Sequence, residues 1–244
     1  MDKKKKRIIA VVAILAITGV AVKLVFFREE FLYAGTIEAT EVDVPARVSS
    51  VISTRDVDEG THVKANQILM HLSCEDVRLA ANIADENFAR SNKLYKEGSQ
   101  SKENLDQLKN RKEDADLRVA WCSVASPLTG VVLNKYHEAG EWVTPGTRLF
   151  TLADLREVWA NIYVPQSLIA KLSPGQSLTG YLPELKMQGF EGTISRISDT
   201  AEFTPKNVQT REERTRLIYA IKITFKNPKE ILKPGMSIEV KIPE

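Results

Sequence analysis

Between Val48 and Leu72 apolar side chains alternate with polar ones in short runs, and the same pattern returns between Leu128 and Leu152, 80 residues later. Superposing the two stretches sets Val51 on Val131, Gly60 on Gly140, Val63 on Val143, Leu69 on Leu149 and Leu72 on Leu152. The polar positions follow, with Arg55 on Lys135 and Asp58 on Glu138. Alternation of period two marks half-buried strands. Gly60 and Gly140 each close a polar turn, where a positive φ costs glycine little. Two copies so far apart do not make a solenoid. They predict two half-modules that close on each other as a small β-sandwich or flattened barrel. Each half is expected to carry a strand leading into the turn and then a second short strand, Val63 to Leu72 and Val143 to Leu152.

The stretch between the halves, Glu75 to about Trp121, changes period and composition: it has no proline, charges of both signs and helix formers throughout. Ser73 followed by Asp76 predicts a capping box for a first helix, Gly98 its stop, and Ser101 the N-cap of a second. Val77, Ala81, Ala84, Phe88 and Tyr95 fall at 3–4 spacing on the first helix; Leu105, Leu108, Ala115 and Val119 do so on the second, with Lys112 interrupting. A helix from Glu75 to Glu97 reaches about 35 Å, so the insertion reads as a short projecting arm. With the tip between Gly98 and Ser99, antiparallel partners have numbers summing to about 197. Cys74 and Cys122 therefore face each other at the arm's base. They are expected either to form a disulfide in an oxidising compartment or to lie close as buried thiols.

After the second half the chain returns to strands. Val158 to Val164 alternates, Pro174-Gly175 and Pro234-Gly235 mark turns, and further strands are expected at Ser177 to Leu182, Phe190 to Ile197, Arg216 to Phe225 and Met236 to Ile242. Five or six short strands predict a closed antiparallel barrel, to which Tyr33 to Ala39 can add. The polar stretch Thr200 to Arg216 is expected to be the least ordered part.

The compartment is read from the other end. Lys3 to Arg7 precede an apolar or small run, Ile8 to Val22, then Lys23 and Leu24 to Phe27. Residues 8–27 are about long enough to span a bilayer, with the basic cluster cytoplasmic and the bulk exported. A cleaved signal peptide is the alternative. Residues 1–7 hold five basic side chains and one acidic, +4, so the rest of this +2 chain carries −2. That leaves no basic field for nucleic acid. His62, His71 and His137 lack metal-ligand spacing, no nucleophile–base pairing is visible, and Glu212-Glu213 among arginines reads as a solvated patch. Neither a metal, a cofactor nor catalysis is expected.

The order of anchor, strand, half-module, helical hairpin, half-module and barrel resembles the periplasmic adaptor, or membrane fusion protein, family of HlyD type. The stretches Ala125 to Val132, Glu138 to Gly146 and Asn227 to Met236 carry the resemblance, and Ala201 to Thr210 is similar to its YbhG-like branch. The resemblance implies a mainly β fold: a lipoyl-like β-sandwich split by a short coiled-coil hairpin, then an antiparallel β-barrel, behind an N-terminal transmembrane helix. The expected division is 1–7 cytoplasmic tail, 8–27 anchor, 28–42 linker and first barrel strand, 43–73 first lipoyl-like half, 74–122 hairpin, 123–153 second half and 154–244 barrel. A true lipoyl or biotinyl carrier needs a lysine at the turn joining the halves, and here the hairpin replaces that turn.

The same resemblance implies a role and a site. The family's docking motif is an Arg, a Leu four residues on and a Ser seven further, which Arg90, Leu94 and Ser101 match. These would meet a TolC-like outer-membrane channel, while the barrel clasps an inner-membrane transporter and the protein assembles as a trimer or hexamer. The barrel tail favours an ABC-type exporter; the short arm favours a pump with a tall periplasmic part, such as an RND or MacB-like transporter. An RND or major-facilitator pump, and a cell-envelope scaffold without transport, are the alternatives. The inner membrane with the bulk in the periplasm is the expected location.

Overall fold

The computed structural model describes residues 31–203 and 217–243. The expected tail and anchor, residues 1–27, and most of Thr200 to Arg216 lie outside them. Among the described residues no helix is long and apolar enough to cross a membrane. The described residues divide into two compact units, one of residues 36–160 with 224–236, the other of residues 31–35, 161–203, 217–223 and 237–243.

In the first unit the repeat becomes an exchange of strands. The first half supplies β2 (Glu41–Pro45), β3 (Ser50–Arg55), β4 (His62–Val63) and β5 (Ile68–Leu72). The second supplies β6 (Ser123–Ala125), β7 (Gly130–Lys135), β8 (Trp142–Val143) and β9 (Arg148–Ala153). Two four-stranded sheets run β2-β9-β7-β4 and β6-β5-β3-β8. Each half thus lends its two-residue strand to the other's sheet, β4 to β7 and β8 to β3. The main-chain bonds repeat under the 80-residue shift. Gly60 N–H donates to Val132 O and Gly140 N–H to Ile52 O, both at 2.8 Å; Val132 N–H donates to Thr61 O at 3.0 Å and Ile52 N–H to Glu141 O at 2.9 Å. Both turn glycines have positive φ, +79° and +94°.

The apolar face of the alternation fills one core, with Val44, Ile52, Val63, Leu69, Met70, Leu72, Val132, Val143, Leu149, Phe150 and Leu152 all buried. The expected single strands Val63 to Leu72 and Val143 to Leu152 are each two strands. A turn separates them, at Asn66 (φ +66°) and Gly146 (φ +90°), because backbone at the crossing point must change sheets. On the surface, the four charges that the repeat aligned meet across the pseudo-two-fold. Arg55 pairs with Asp58 and, at 3.4 Å, with Glu138, while Lys135 pairs with Glu138 and, at 3.4 Å, with Asp58. The Glu138 carboxylate raises the Lys135 ammonium above its ordinary range.

The buried Asn227 closes this unit. Its Nδ2 donates to Leu155 O and Leu232 O, both at 2.8 Å, and its Oδ1 accepts from Leu232 N–H at 3.1 Å. One side chain thereby satisfies the interior of the turn from Asn227 to Met236.

The other strands form a sheet in the order β10-β1-β15-β11-β12-β14-β13, closed into a six-strand barrel by an additional pairing of β10 with β14. They are β1 (Leu32–Glu38), β10 (Glu157–Pro165), β11 (Ser177–Leu182), β12 (Gln188–Ile197), β13 (Glu202–Phe203), β14 (Leu217–Lys226) and β15 (Ser237–Lys241). The alternation expected at Val158 to Val164 is realised, with Val158, Ala160, Ile162 and Val164 fully buried. Closure removes the sheet edges that an open antiparallel sheet would expose.

Candidate docking tip of the helical hairpin

Between β5 and β6 the chain runs out along α1 (Glu75–Lys96) and back along α2 (Lys102–Ala120). At about 1.5 Å per residue the 22 residues of α1 extend about 33 Å. The seam repeats at 3–4 spacing, but it is thin: only Ala81 and Ser91 are buried on α1, and α2 buries no residue fully. Tyr95, expected in the seam, is 40% exposed. The last buried seam position is Ser91, which the apolar pattern passed over because its side chain is polar. Gln100 Nε2 donates to Ser91 Oγ at 2.9 Å, so the seam ends in a hydrogen bond instead of an apolar contact. Lys112, which interrupts the stripe, bridges the helices to Asp85 at 2.6 Å and pairs with Asp116 at 3.2 Å.

The base is tied to the sheets. Cys74 and Cys122 are both buried, their Cα atoms are 6.1 Å apart, and their sulfurs are joined. The Cys74 N–H donates to Ser50 Oγ at 2.9 Å, and Cys122 O accepts from Leu72 N–H at 2.8 Å. The expected capping box is absent. The N-cap of α1 is Cys74, in left-handed conformation and without a side-chain cap bond. Ser73 lies one residue before the cap position, and its N–H donates to Val51 O at 2.9 Å. Glu75 and Asp76 in the first turn complement the helix dipole instead.

The tip is a compact reversal. Gly98 takes φ +75°, its N–H donates to Tyr95 O at 3.0 Å, and Ser99 N–H donates to Leu94 O at 2.9 Å. These paired bonds are the Schellman closure that a glycine just past a helix permits. Ser101 then caps α2, its Oγ accepting from Asn104 N–H at 3.3 Å.

The three residues singled out by the sequence therefore sit around one turn, with different surroundings. Arg90 is exposed, one helical turn below the half-buried Leu94. Ser101 is exposed on the far side of the reversal. Its Oγ takes the cap bond as acceptor, which leaves its O–H free to donate outward. Sequence reasoning missed Gln100 and Ser91, whose bond fixes the reversal on the seam side. A polar residue at a seam position was the available signal.

The histidines stand apart from this tip, each beside a carboxylate: His62 with Glu230 at 2.8 Å, His71 with Asp56 at 3.5 Å, His137 with Glu141 at 2.6 Å. Among the described residues no three His, Cys, Asp or Glu side chains gather as a metal would require.

The chain thus combines a hairpin carried out from the junction of two interlocked β half-modules with a six-strand barrel. Residues 40–154 match the CzcB-like barrel-sandwich hybrid domain, and residues 157–244 match the CusB-like β-barrel domain. The chain belongs to the membrane fusion, or periplasmic adaptor, family, a family of adaptors and not of enzymes. It is 39% identical over 118 residues to a UPF0194 membrane protein of Acidithiobacillus ferridurans, a match covering 48% of this chain and 35% of that one. To the UPF0194 membrane protein YbhG of Salmonella gallinarum it is 32% identical over 119 residues, 49% of this chain and 36% of that one. The match thus spans little more than a third of the length of these curated relatives. In fold it is similar to a MacA–MexA chimeric protein carrying the Pseudomonas aeruginosa MexA α-hairpin domain. The TM-score is 0.71 at 21% identity, over 88% of this chain and 81% of that one.

Proposed function

We propose that this protein is the periplasmic adaptor of a tripartite efflux or secretion system, joining an inner-membrane ABC-type exporter to a TolC-like outer-membrane channel. The observation that carries the reading is the hairpin itself. Its base is bonded into the sheets, its shaft buries almost nothing of its own, and its tip presents a cation, an apolar side chain and a hydroxyl at Arg90, Leu94 and Ser101. A cationic, apolar and hydroxyl triplet at an exposed end is weak alone. It gains strength when a symmetric assembly presents several copies at once. The resemblance of Ala201 to Thr210 to the YbhG-like branch favours the ABC class of pump. Residues 8–27 anchor the chain in the inner membrane, and the bulk lies in the periplasm, where Cys74 and Cys122 form a disulfide. The division into tail, anchor, linker, lipoyl-like halves, hairpin and barrel is part of the same reading.

The test is export of the system's cargo by cells carrying Arg90→Glu with Leu94→Ser. Arg90 is exposed and Leu94 only half-buried, so the variant is expected to fold and reach the membrane while export is lost. Unchanged export at wild-type protein level overturns the docking role.

A further inference from the structure

The strands β2 and β6 are equivalent under the 80-residue repeat, Asp43 matching Ser123 and Pro45 matching Ala125. Each is the edge strand of its four-stranded sheet, and no ladder joins the two edges. The Arg47 guanidinium lies 6.0 Å from the centre of the Trp121 ring. The chain just past β2 therefore meets the chain just before β6, and the edges run past each other in opposite directions. Between them lies a groove of about 400 Å³, lined by both strands together with Arg47, Trp121 and Pro127.

Main-chain alternation fixes what these edges present. Ala46 N–H donates to Thr147 O and Ser126 N–H to Gln67 O, both at 2.8 Å, so both residues bond into their own sheets. Cys122 O does the same, accepting from Leu72 N–H. In an antiparallel ladder alternate residues bond to the same neighbour. Val124 therefore bonds toward β5, while Ser123 and Ala125 turn their N–H and C=O away from it, to the groove. On β2 the outward residues are Asp43 and Pro45, and proline has no N–H to offer. The three residues of β6 thus keep the fuller set of donors and acceptors, the kind of edge to which an extended peptide adds. Charge in the groove is uneven as well. Asp43 is matched by Arg148 at 3.0 Å and by the Thr151 hydroxyl at 2.6 Å, whereas Arg47, exposed, has no carboxylate partner among the described residues.

We propose that the groove between β2 and β6 binds an extended, acidic peptide segment of a partner protein, which adds to β6 as a fifth strand of its sheet. Ser123 and Ala125 supply the main-chain bonds. The Arg47 guanidinium takes a carboxylate of the guest, because it is the unmatched charge of the groove. Val42 and Pro127, which also line it, receive the apolar side chains on either side of that acid. The site lies on the sheets and not on the hairpin tip, so it stands whether or not Arg90, Leu94 and Ser101 dock a channel.

The probes are end-blocked, fluorescein-labelled pentapeptides of the form Thr-X-Glu-X-Thr, with X as Val, Ile, Leu or Phe. Each is titrated by fluorescence polarisation with the full-length protein in detergent, and at least one is expected to bind saturably. Ala125→Pro removes one donor from the edge of β6, and it is expected to fold because Pro45 already occupies the equivalent place on β2. It should weaken binding about tenfold with unchanged circular dichroism and thermal midpoint. Arg47→Glu should weaken binding about as much and turn the preference to the same peptides carrying Lys in place of Glu, a reversal that a merely structural arginine would not give. No saturable binding by any of the peptides, or binding indifferent to either substitution, overturns the proposal. So does a change of oligomeric state on Ala125→Pro, read by sedimentation velocity, with no peptide bound by the wild type. That result would assign the groove to a second copy of this chain.

Discussion

Ser101 uses its one side-chain oxygen to accept from Asn104 N–H and start α2. Replacing it by alanine leaves that donor to water and should cost about 1 kcal/mol, seen as faster hydrogen exchange in the first turn of α2. Asparagine caps about as well as serine, so Ser101→Asn should restore protection. If Ser101→Asn also restores export, capping is the residue's whole contribution; if export stays low, the hydroxyl itself meets the partner. A second single-residue effect concerns acid. The Asp154 carboxylate is held below its usual range first by hydrogen bonding to Arg156, and Glu141 first by hydrogen bonding to His137. A folded-state pKa below the unfolded one means that the unfolded chain takes up protons first as pH falls. The stabilisation is therefore present above about pH 4 and is lost below it as these groups protonate. Urea denaturation from about pH 6 down to about pH 3 should show this loss. Arg156→Met should lower stability at neutral pH and flatten the decline; an unchanged acid profile would remove Asp154 as a contributor.

The hairpin behaves as an element that cannot hold itself together. Its seam buries two small side chains on α1, and isolated helices of this length are marginal in water. Its integrity depends on what closes each end: the turn at Gly98 with the Gln100–Ser91 bond, and the cysteine pair at the base. The cysteines lie 48 residues apart, so a bond between them removes much of the loop entropy of the unfolded arm. Cys74→Ser with Cys122→Ser should destabilise the first unit by about 2–4 kcal/mol. Limited proteolysis should then cut within the hairpin before the sheets. Equal resistance of the double variant and the wild type would show that the bond adds nothing to the stability of the arm.

At the scale of the whole molecule, export needs partners that one chain does not contain. Mild detergent extraction of the full-length protein, followed by mass spectrometry, should recover an ABC-type permease together with an outer-membrane channel. Recovery of an RND or major-facilitator transporter would keep the adaptor and change the pump. A well-recovered oligomer free of any transporter would favour a scaffold.

The sequence by itself determined where the elements lie, because periodicity is a local property. The 80-residue repeat, the positive-φ turns at Gly60 and Gly140, the buried alternation of Val158 to Val164 and the caps at Gly98 and Ser101 were all legible residue by residue. So were the positions of Arg90 and Leu94, on one face of one helix. Tertiary structure decided what pairs with what. The exchange of β4 and β8 between halves depends on backbone bonds to residues about 70 positions away, such as Gly60 to Val132, and no local pattern encodes them. Ser73 lost its expected cap role because the helix starts one residue later, with Cys74 at the N-cap and Ser73 N–H donating to Val51 O. The four-charge ring at Arg55, Asp58, Lys135 and Glu138 was visible as aligned letters. Only folding brought it together, because two halves related by a pseudo-two-fold place equivalent residues face to face.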